Sequence, residues 1–261
     1  IELQYDEYLA GISGMKIGAY DSWGNRLPFE TYKFTPPVDG NDIILTIDEN
    51  LQYVAEKIAQ KGLEEHNAKG VHVLIMDPNN GEILAMVNKP DYDPNTPYEG
   101  YESFEGETEN DQIQNMWRNK IISDTFEPGS TFKMISAAIG LDSKTIDENT
   151  AIEKVEKWQK DKSWGNNYVT TTEQYTEPSN LKNALIYSDN IYFAQLADKI
   201  GSKTYTSYLD TFGFNKKINF ELGVQQSTYG DKMEDIQKLC ATGYGQGDLQ
   251  ISPLHLTSIY T

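Results

Sequence analysis

The chain has 261 residues, enough for one large domain with a smaller appendage and a substantial buried core. Its 22 Lys and Arg stand against 40 Asp and Glu, a net charge of −18, which argues against a nucleic-acid partner and against a polybasic membrane footprint. One cysteine excludes an internal disulfide and a paired-cysteine zinc motif, and no apolar run approaches the ~18 residues a membrane span needs.

The chain opens at Ile1 rather than Met and shows no signal peptide, which suggests a trimmed piece. Residues 1–42 read as an extended, turn-rich segment. Strand candidates at 16–20 and 31–34 flank a turn around Trp23-Gly24-Asn25, with Asp21 and Ser22 supplying further turn chemistry. Pro36-Pro37 and Asp39-Gly40 punctuate the join to a main domain over 43–261.

That domain begins with a β run at 43–47, ended by Asp48 as an N-cap. The following helix places Leu51, Val54, Ala55, Ile58 and Ala59 on one face. Strands at 71–76 and 82–87, joined by Asp77-Pro78-Asn79-Asn80-Gly81, form a predicted hairpin. A helix followed by an antiparallel hairpin points to α+β rather than a doubly wound sheet. Residues 88–120 are polar, with six acidic residues from Glu99 to Asp111, and read as a long surface loop.

A helix is predicted from Ser130 to Leu141, then irregular chain over 142–180 around Trp158 and Trp164. Helices follow at 181–187 and 191–200, the second stopped by Gly201 and facing inward through Phe193, Leu196, Ala197 and Ile200. Another, capped by Ser202 or Thr204, carries Tyr205, Tyr208, Leu209 and Phe212. A Gly-rich turn at 243–247 and a helix opened by Ser252-Pro253 end the chain.

Two short elements carry chemistry. Ser130 and Lys133 open an apolar helix behind Pro128-Gly129, and a residue three positions on shares the helix face. The Lys133 amine therefore returns beside the Ser130 hydroxyl, a base next to a nucleophile that is weak without one. The helix N-terminus adds unpaired N–H groups that can face developing negative charge. The spacing alone is weak: Ser13 with Lys16 and Ser179 with Lys182 share it, and for an isolated match a solvated helix start is the commoner meaning. The second element is Ser188-Asp189-Asn190, between two predicted helices. There Ser188 could relay a proton and Asn190 could hold a carbonyl or amide, although these residue types also favour plain helix capping. Cys240 and His255 are near in sequence, but structural zinc takes four ligands and a lone cysteine is usually a small core residue, so no metal or cofactor is assigned.

Together, Ser130-x-x-Lys133 and Ser188-Asp189-Asn190 resemble the penicillin-recognising serine acyltransferases. The resemblance covers nearly the whole chain. Ile44-Leu-Thr-Ile-Asp48, the segments at 76–86 and 90–95, Phe126-Glu-Pro-Gly-Ser-Thr-Phe-Lys133 and Gly243-Tyr-Gly-Gln-Gly247 with Ser252-Pro-Leu254 are similar to the transpeptidase domain of class B penicillin-binding proteins. Glu2-Leu-Gln-Tyr-Asp6 looks like the end of the non-catalytic pedestal before that domain, which makes 1–42 pedestal and linker. Residues 158–165 and 187–191 are closer to low-affinity members from Gram-positive bacteria, and 126–133 closer to division and sporulation members.

The resemblance implies an α+β fold, the penicillin-recognising serine transpeptidase fold, with an antiparallel sheet flanked by helices. It implies peptidoglycan D,D-transpeptidation: Ser130 attacks the penultimate D-alanine carbonyl of a stem peptide, and an amine from a neighbouring stem resolves the acyl-enzyme. Lys133 would be the base, Ser188 the relay to the leaving group, Asn190 the group that positions the donor, and the Ser130 N–H half of the oxyanion hole. For this the Lys133 pKa must fall, through burial and a nearby positive charge. The implied partners are stem peptides, lipid II-derived strands, β-lactams as covalent inhibitors, and a glycosyltransferase. A membrane anchor would precede Ile1, with the site outside the cytoplasm. The family's Lys-Thr-Gly motif is absent from the sequence. The expectation is therefore a fold lacking its C-terminal part, and little or no activity from these residues alone. Two alternatives stand beside it: a serine β-lactamase, disfavoured by the pedestal-like start and the length before Ser130, and a non-catalytic penicillin-binding sensor or scaffold.

Overall fold

The computed structural model describes residues 1–18, 21–25, 27, 33–171, 175–231 and 233–261. The chain divides into two compact units, Ile1–Thr46 with Phe220–Leu222, and Ile47–Asn219 with Gly223–Thr261.

In the first unit, α1 (Asp6–Leu9) is a single turn. Strands β1 (Met15–Ile17) and β2 (Lys33–Thr35) pair antiparallel with Lys16 opposite Phe34, and Ile12 bridges Val38. The Asp21 carboxylate accepts the N–H groups of Trp23 and Asn25 and so builds the predicted turn. The inner ends of the two predicted strands, at 19–20 and 31–32, lie outside the described residues. The β run expected at 43–47 forms no ladder, and Ile44 is 95% exposed. Its apolar composition matches a strand, but among the described residues the segment is not assigned to one.

The second unit opens with α2 (Glu49–Glu65), whose N-cap Asp48 accepts the Leu51 N–H. Only Ala55 and Ala59 of the expected stripe are buried, while Leu51, Val54 and Ile58 face outward. The two alanines lie against the hairpin of β3 (Val71–Met76) and β4 (Ile83–Lys89), where Val73 pairs with Val87 and Ile75 with Ala85. Small residues on helix and strand let the two backbones approach.

Segment 88–120, expected as loop, holds a 3₁₀ turn (Tyr101–Ser103), α3 (Glu109–Trp117) and the start of α4 (Lys120–Ser123). Thr108 caps α3, and Asp111 reaches back to the Thr108 N–H in a capping box. The acidic residues that suggested a solvated loop include Glu109 and Asp111 in the first turn of α3, where the helix dipole favours them.

The largest core gathers around α5 (Lys133–Asp142), with α6 (Leu181–Ile186), α7 (Asn190–Ile200), α8 (Ser202–Thr211), α9 (Ile236–Gly243) and α10 (Pro253–Ile259). A two-stranded sheet, β5 (Lys157–Trp158) with β6 (Val169–Thr170), interrupts the predicted irregular stretch. Every α7 residue from Ile191 to Ala197 is buried, so this helix runs through the core rather than over it. It packs on α5, α8 and α9. Gly243 permits the last contact, because a β-carbon there would stand 2.4 Å from the Phe193 carbonyl oxygen. The start of α8 is capped by Gly201 with no side-chain bond, rather than by Ser202 or Thr204. The fold is α+β, and every strand pair among the described residues is antiparallel. No described helix is long and apolar enough to cross a membrane.

Candidate active site

Pro128 caps a 3₁₀ turn, Gly129–Phe132, that runs directly into α5. Gly129 takes φ +56, which a residue with a β-carbon rarely adopts. The turn leaves Ser130 exposed and carries Lys133 into the core, where it is only 2% exposed. Lys133 Nζ donates toward Ser130 Oγ at 3.1 Å, Ser188 Oγ at 2.8 Å, the Ser188 carbonyl at 2.7 Å and Asn190 Oδ1 at 2.6 Å. Ser188 Oγ in turn donates to Ser130 Oγ at 3.0 Å. The structure thus brings together all four residues singled out from the sequence.

The tight turn before α7 presents Ser188 and Asn190. Ser188 has φ +52, a left-handed conformation that costs a non-glycine residue about 1–2 kcal/mol. Asp189 caps α7 by accepting the N–H groups of Ile191 and Tyr192. The other end of the Asn190 amide, Nδ2, donates to the Thr170 carbonyl at 3.2 Å, which ties β6 to the site.

Burial pushes the Lys133 pKa down to about 8. A neighbouring positive charge was expected to add to it. The charge that acts on Lys133 is instead the Asp189 carboxylate, which favours the ammonium and opposes part of the shift. Ser130 itself stands in the first helical turn, where backbone N–H groups have no intrahelical partner.

A second set of contacts was not legible in the sequence. Phe126 and Ile251 exchange two backbone hydrogen bonds of 3.0 Å, the Gly129 N–H donates to the Gly245 carbonyl at 2.8 Å, and Glu127 Oε1 accepts the Gly247 N–H at 2.9 Å. Ser136, one turn beyond Lys133 on α5, donates to the Gly243 carbonyl at 2.7 Å. The Gly-rich segment read as a simple turn therefore clasps the chain on both sides of Ser130. Alternating glycines at 243, 245 and 247 suit close backbone approach but name no partner.

The other Ser-x-x-Lys spacings have no such setting. Ser13 and Lys16 are exposed in the first unit, and Lys182 is exposed on α6. Cys240 lies buried beside Trp164, Ile191 and Ala194, and burial pushes its thiol up to about 12. Both ring nitrogens of His255 are engaged, Nδ1 with Ser227 Oγ and Nε2 with the Phe212 carbonyl, each at 2.7 Å. A carbonyl only accepts, so Nε2 carries the proton and Nδ1 takes the Ser227 hydroxyl.

Residues 71–261 match the family described as penicillin binding protein transpeptidase domain. The chain is 39% identical over 264 residues to penicillin-binding protein 3 of Bacillus subtilis, covering 100% of this chain and 37% of that protein. It is 26% identical over 267 residues to stage V sporulation protein D of the same organism, covering 97% and 38%. To peptidoglycan D,D-transpeptidase FtsI of Escherichia coli it is 27% identical over 268 residues, covering 100% and 41%. The chain therefore spans about two fifths of the length of these relatives.

Proposed function

This chain belongs to the penicillin-binding protein transpeptidase family, in its class B branch, and from that premise we propose that it is the serine-bearing part of a peptidoglycan D,D-transpeptidase. The observation that carries the reading is the placement of Ser130 Oγ between the buried Lys133 amine at 3.1 Å and the Ser188 hydroxyl at 3.0 Å.

In the proposed reaction the neutral Lys133 amine takes the Ser130 proton as Oγ bonds to the penultimate D-alanine carbonyl carbon of a stem peptide. The oxyanion faces the Ser130 N–H. When the C–N bond breaks, a proton passes through Ser188 to the leaving nitrogen, and terminal D-alanine departs. An amine of a second stem then attacks the Ser130 ester and forms the cross-link, and Ser130 Oγ recovers its proton from the Lys133–Ser188 pair. Asn190, held between Lys133 and the Thr170 carbonyl, borders the place the donor peptide occupies. The same chemistry makes β-lactams covalent inhibitors, because Ser130 opens their ring and no leaving amine diffuses away.

The reading extends to the domain plan, with 1–42 as pedestal end and linker and 43–261 as transpeptidase domain. It extends also to lipid II-derived strands as substrates, a glycosyltransferase as partner, and a membrane-anchored protein whose site lies outside the cytoplasm. These follow from the family, not from any contact described above.

Intact mass after incubation with penicillin tests the core of the proposal. One adduct is expected in the intact protein, mapped to Ser130 and absent from Ser130→Ala. An adduct that persists in Ser130→Ala overturns the assignment. Rapid loss of the adduct with hydrolysed penicillin would indicate a β-lactamase, and a stable adduct without cross-linking of lipid II-derived strands a sensor.

A further inference from the structure

Ser188 sits in a conformation its side chain does not favour, with φ +52, so its neighbours must hold it there. On one side is Tyr187 and on the other Asp189. Tyr175, from outside the turn, touches both. The Tyr175 ring stacks on the Tyr187 ring at 4.5 Å between centroids and 8° between planes. The Tyr175 hydroxyl donates to Asp189 Oδ2 at 2.8 Å, with Ser179 Oγ at 3.3 Å from the same phenol oxygen. Tyr175 and Asp189 are 8% and 4% exposed, so the hydrogen bond between them is shielded from bulk water. Asp189 Oδ1 is occupied by the Ile191 and Tyr192 N–H groups, which leaves the phenol as the donor to Oδ2.

We propose that Tyr175 is a positioning residue for the Ser130 site, gripping both neighbours of Ser188 and thereby holding the Ser188 hydroxyl and the Asn190 amide on Lys133. The inference rests on the function proposed above for Ser130 and Lys133. It also has an electrostatic side. Asp189 is the carboxylate that acts on the Lys133 amine, and Tyr175 draws off part of its charge through the phenol hydrogen bond. Other groups around the set are Lys154, Glu177 and Tyr192. Lys154 Nζ lies 3.7 Å from the Tyr175 ring centroid and also donates to the Tyr175 carbonyl. Glu177 accepts the Tyr187 hydroxyl at 3.0 Å, and Tyr192 is a neutral phenol in the core, its pKa pushed up to about 12 by burial. None of these lies among the Lys133 partners, so the route to the amine runs through Asp189 and Ser188.

Two isosteric changes in the intact protein test this. Tyr175→Phe keeps the ring stack and removes the donor, and Asp189→Asn removes the charge. Ser130 acylation by a fluorescent penicillin is followed across pH, and the Lys133 titration midpoint is read by NMR of ε-¹³C lysine. Tyr175→Phe is expected to slow acylation about tenfold, as a slightly misplaced relay would, and to raise the Lys133 midpoint because the Asp189 charge is no longer shared. Asp189→Asn is expected to lower that midpoint. Opposite shifts separate positioning from general loss of structure, which would slow both variants and raise both midpoints toward the unfolded value of 10.5. Tyr175→Phe with the parent's midpoint and profile overturns the inference, as does a uniform rate loss without a midpoint shift. If the parent is not acylated at Ser130, the proposed function fails, and the two Lys133 midpoints still decide whether Tyr175 acts through Asp189.

Discussion

Gly129 and Gly245, far apart in the chain, meet so closely that a β-carbon on Gly245 would stand 2.0 Å from the Gly129 carbonyl oxygen. Gly245 also takes φ +81, so its hydrogen is required twice over, by space and by backbone conformation. Gly245→Ala must push the 3₁₀ turn and Ser130 off their place. The expected result is a loss of Ser130 acylation on the order of 100-fold, the scale of an ångström's misplacement. Gly100→Ala is the comparison, because Gly100 has φ +83 and no atom near its missing β-carbon. It should cost stability alone, and equal acylation losses in the two variants would count against the clasp.

Acylation should follow the deprotonation of Lys133. With its pKa near 8, the rate of Ser130 acylation is expected to rise about tenfold per pH unit below that value and level off above it. Stopped-flow or quenched labelling between about pH 6 and 9.5 reads this limb. A flat profile over that range would sink the assignment of Lys133 as base.

The same group makes stability depend on pH. The pKa of Lys133 is lowered from 10.5 to about 8 in the folded chain, so between those values the unfolded chain binds more protons than the folded one. Stability therefore rises with pH through this window, and the cost of holding the amine in the core is fully felt below pH 8. Against Lys133→Met, the parent should gain in unfolding free energy from pH 8 to 10.5, measured by denaturant titration at several pH values. A constant difference between the two proteins would show that the amine is not desolvated.

These outcomes bear on what the residues disclosed by themselves. Ser130, Lys133, Ser188 and Asn190 were legible because each pair is local: a helical spacing of three, and a polar turn between two apolar helices. Their juxtaposition came only from the family resemblance, since nothing in the spacing of 130 and 188 brings them together. Glu127, Gly245 and Gly247 were invisible as a clasp because backbone pairing across the fold leaves no mark on composition. Segment 43–47 failed in the opposite way, having the β pattern while no strand is assigned there among the described residues. In segment 88–120 the acidic residues outweighed the Thr108–Asp111 capping signal.

That overlooked cap gives a further test. Thr108→Ala removes the side chain that accepts the Asp111 N–H at 3.2 Å and should cost about 1 kcal/mol of stability. It lies outside the contacts that place Ser130, so acylation should be unchanged while the thermal midpoint falls. A loss of acylation with an unchanged midpoint would refute this division of labour.

The left-handed backbone at Ser188 has a consequence for how such a site persists. Glycine would accept φ +52 without strain, so Ser188→Gly relaxes the turn by on the order of 1 kcal/mol while erasing the hydroxyl that meets Lys133 Nζ at 2.8 Å and Ser130 Oγ at 3.0 Å. At this one position the backbone that folds most easily and the side chain that reaches Lys133 pull in opposite directions.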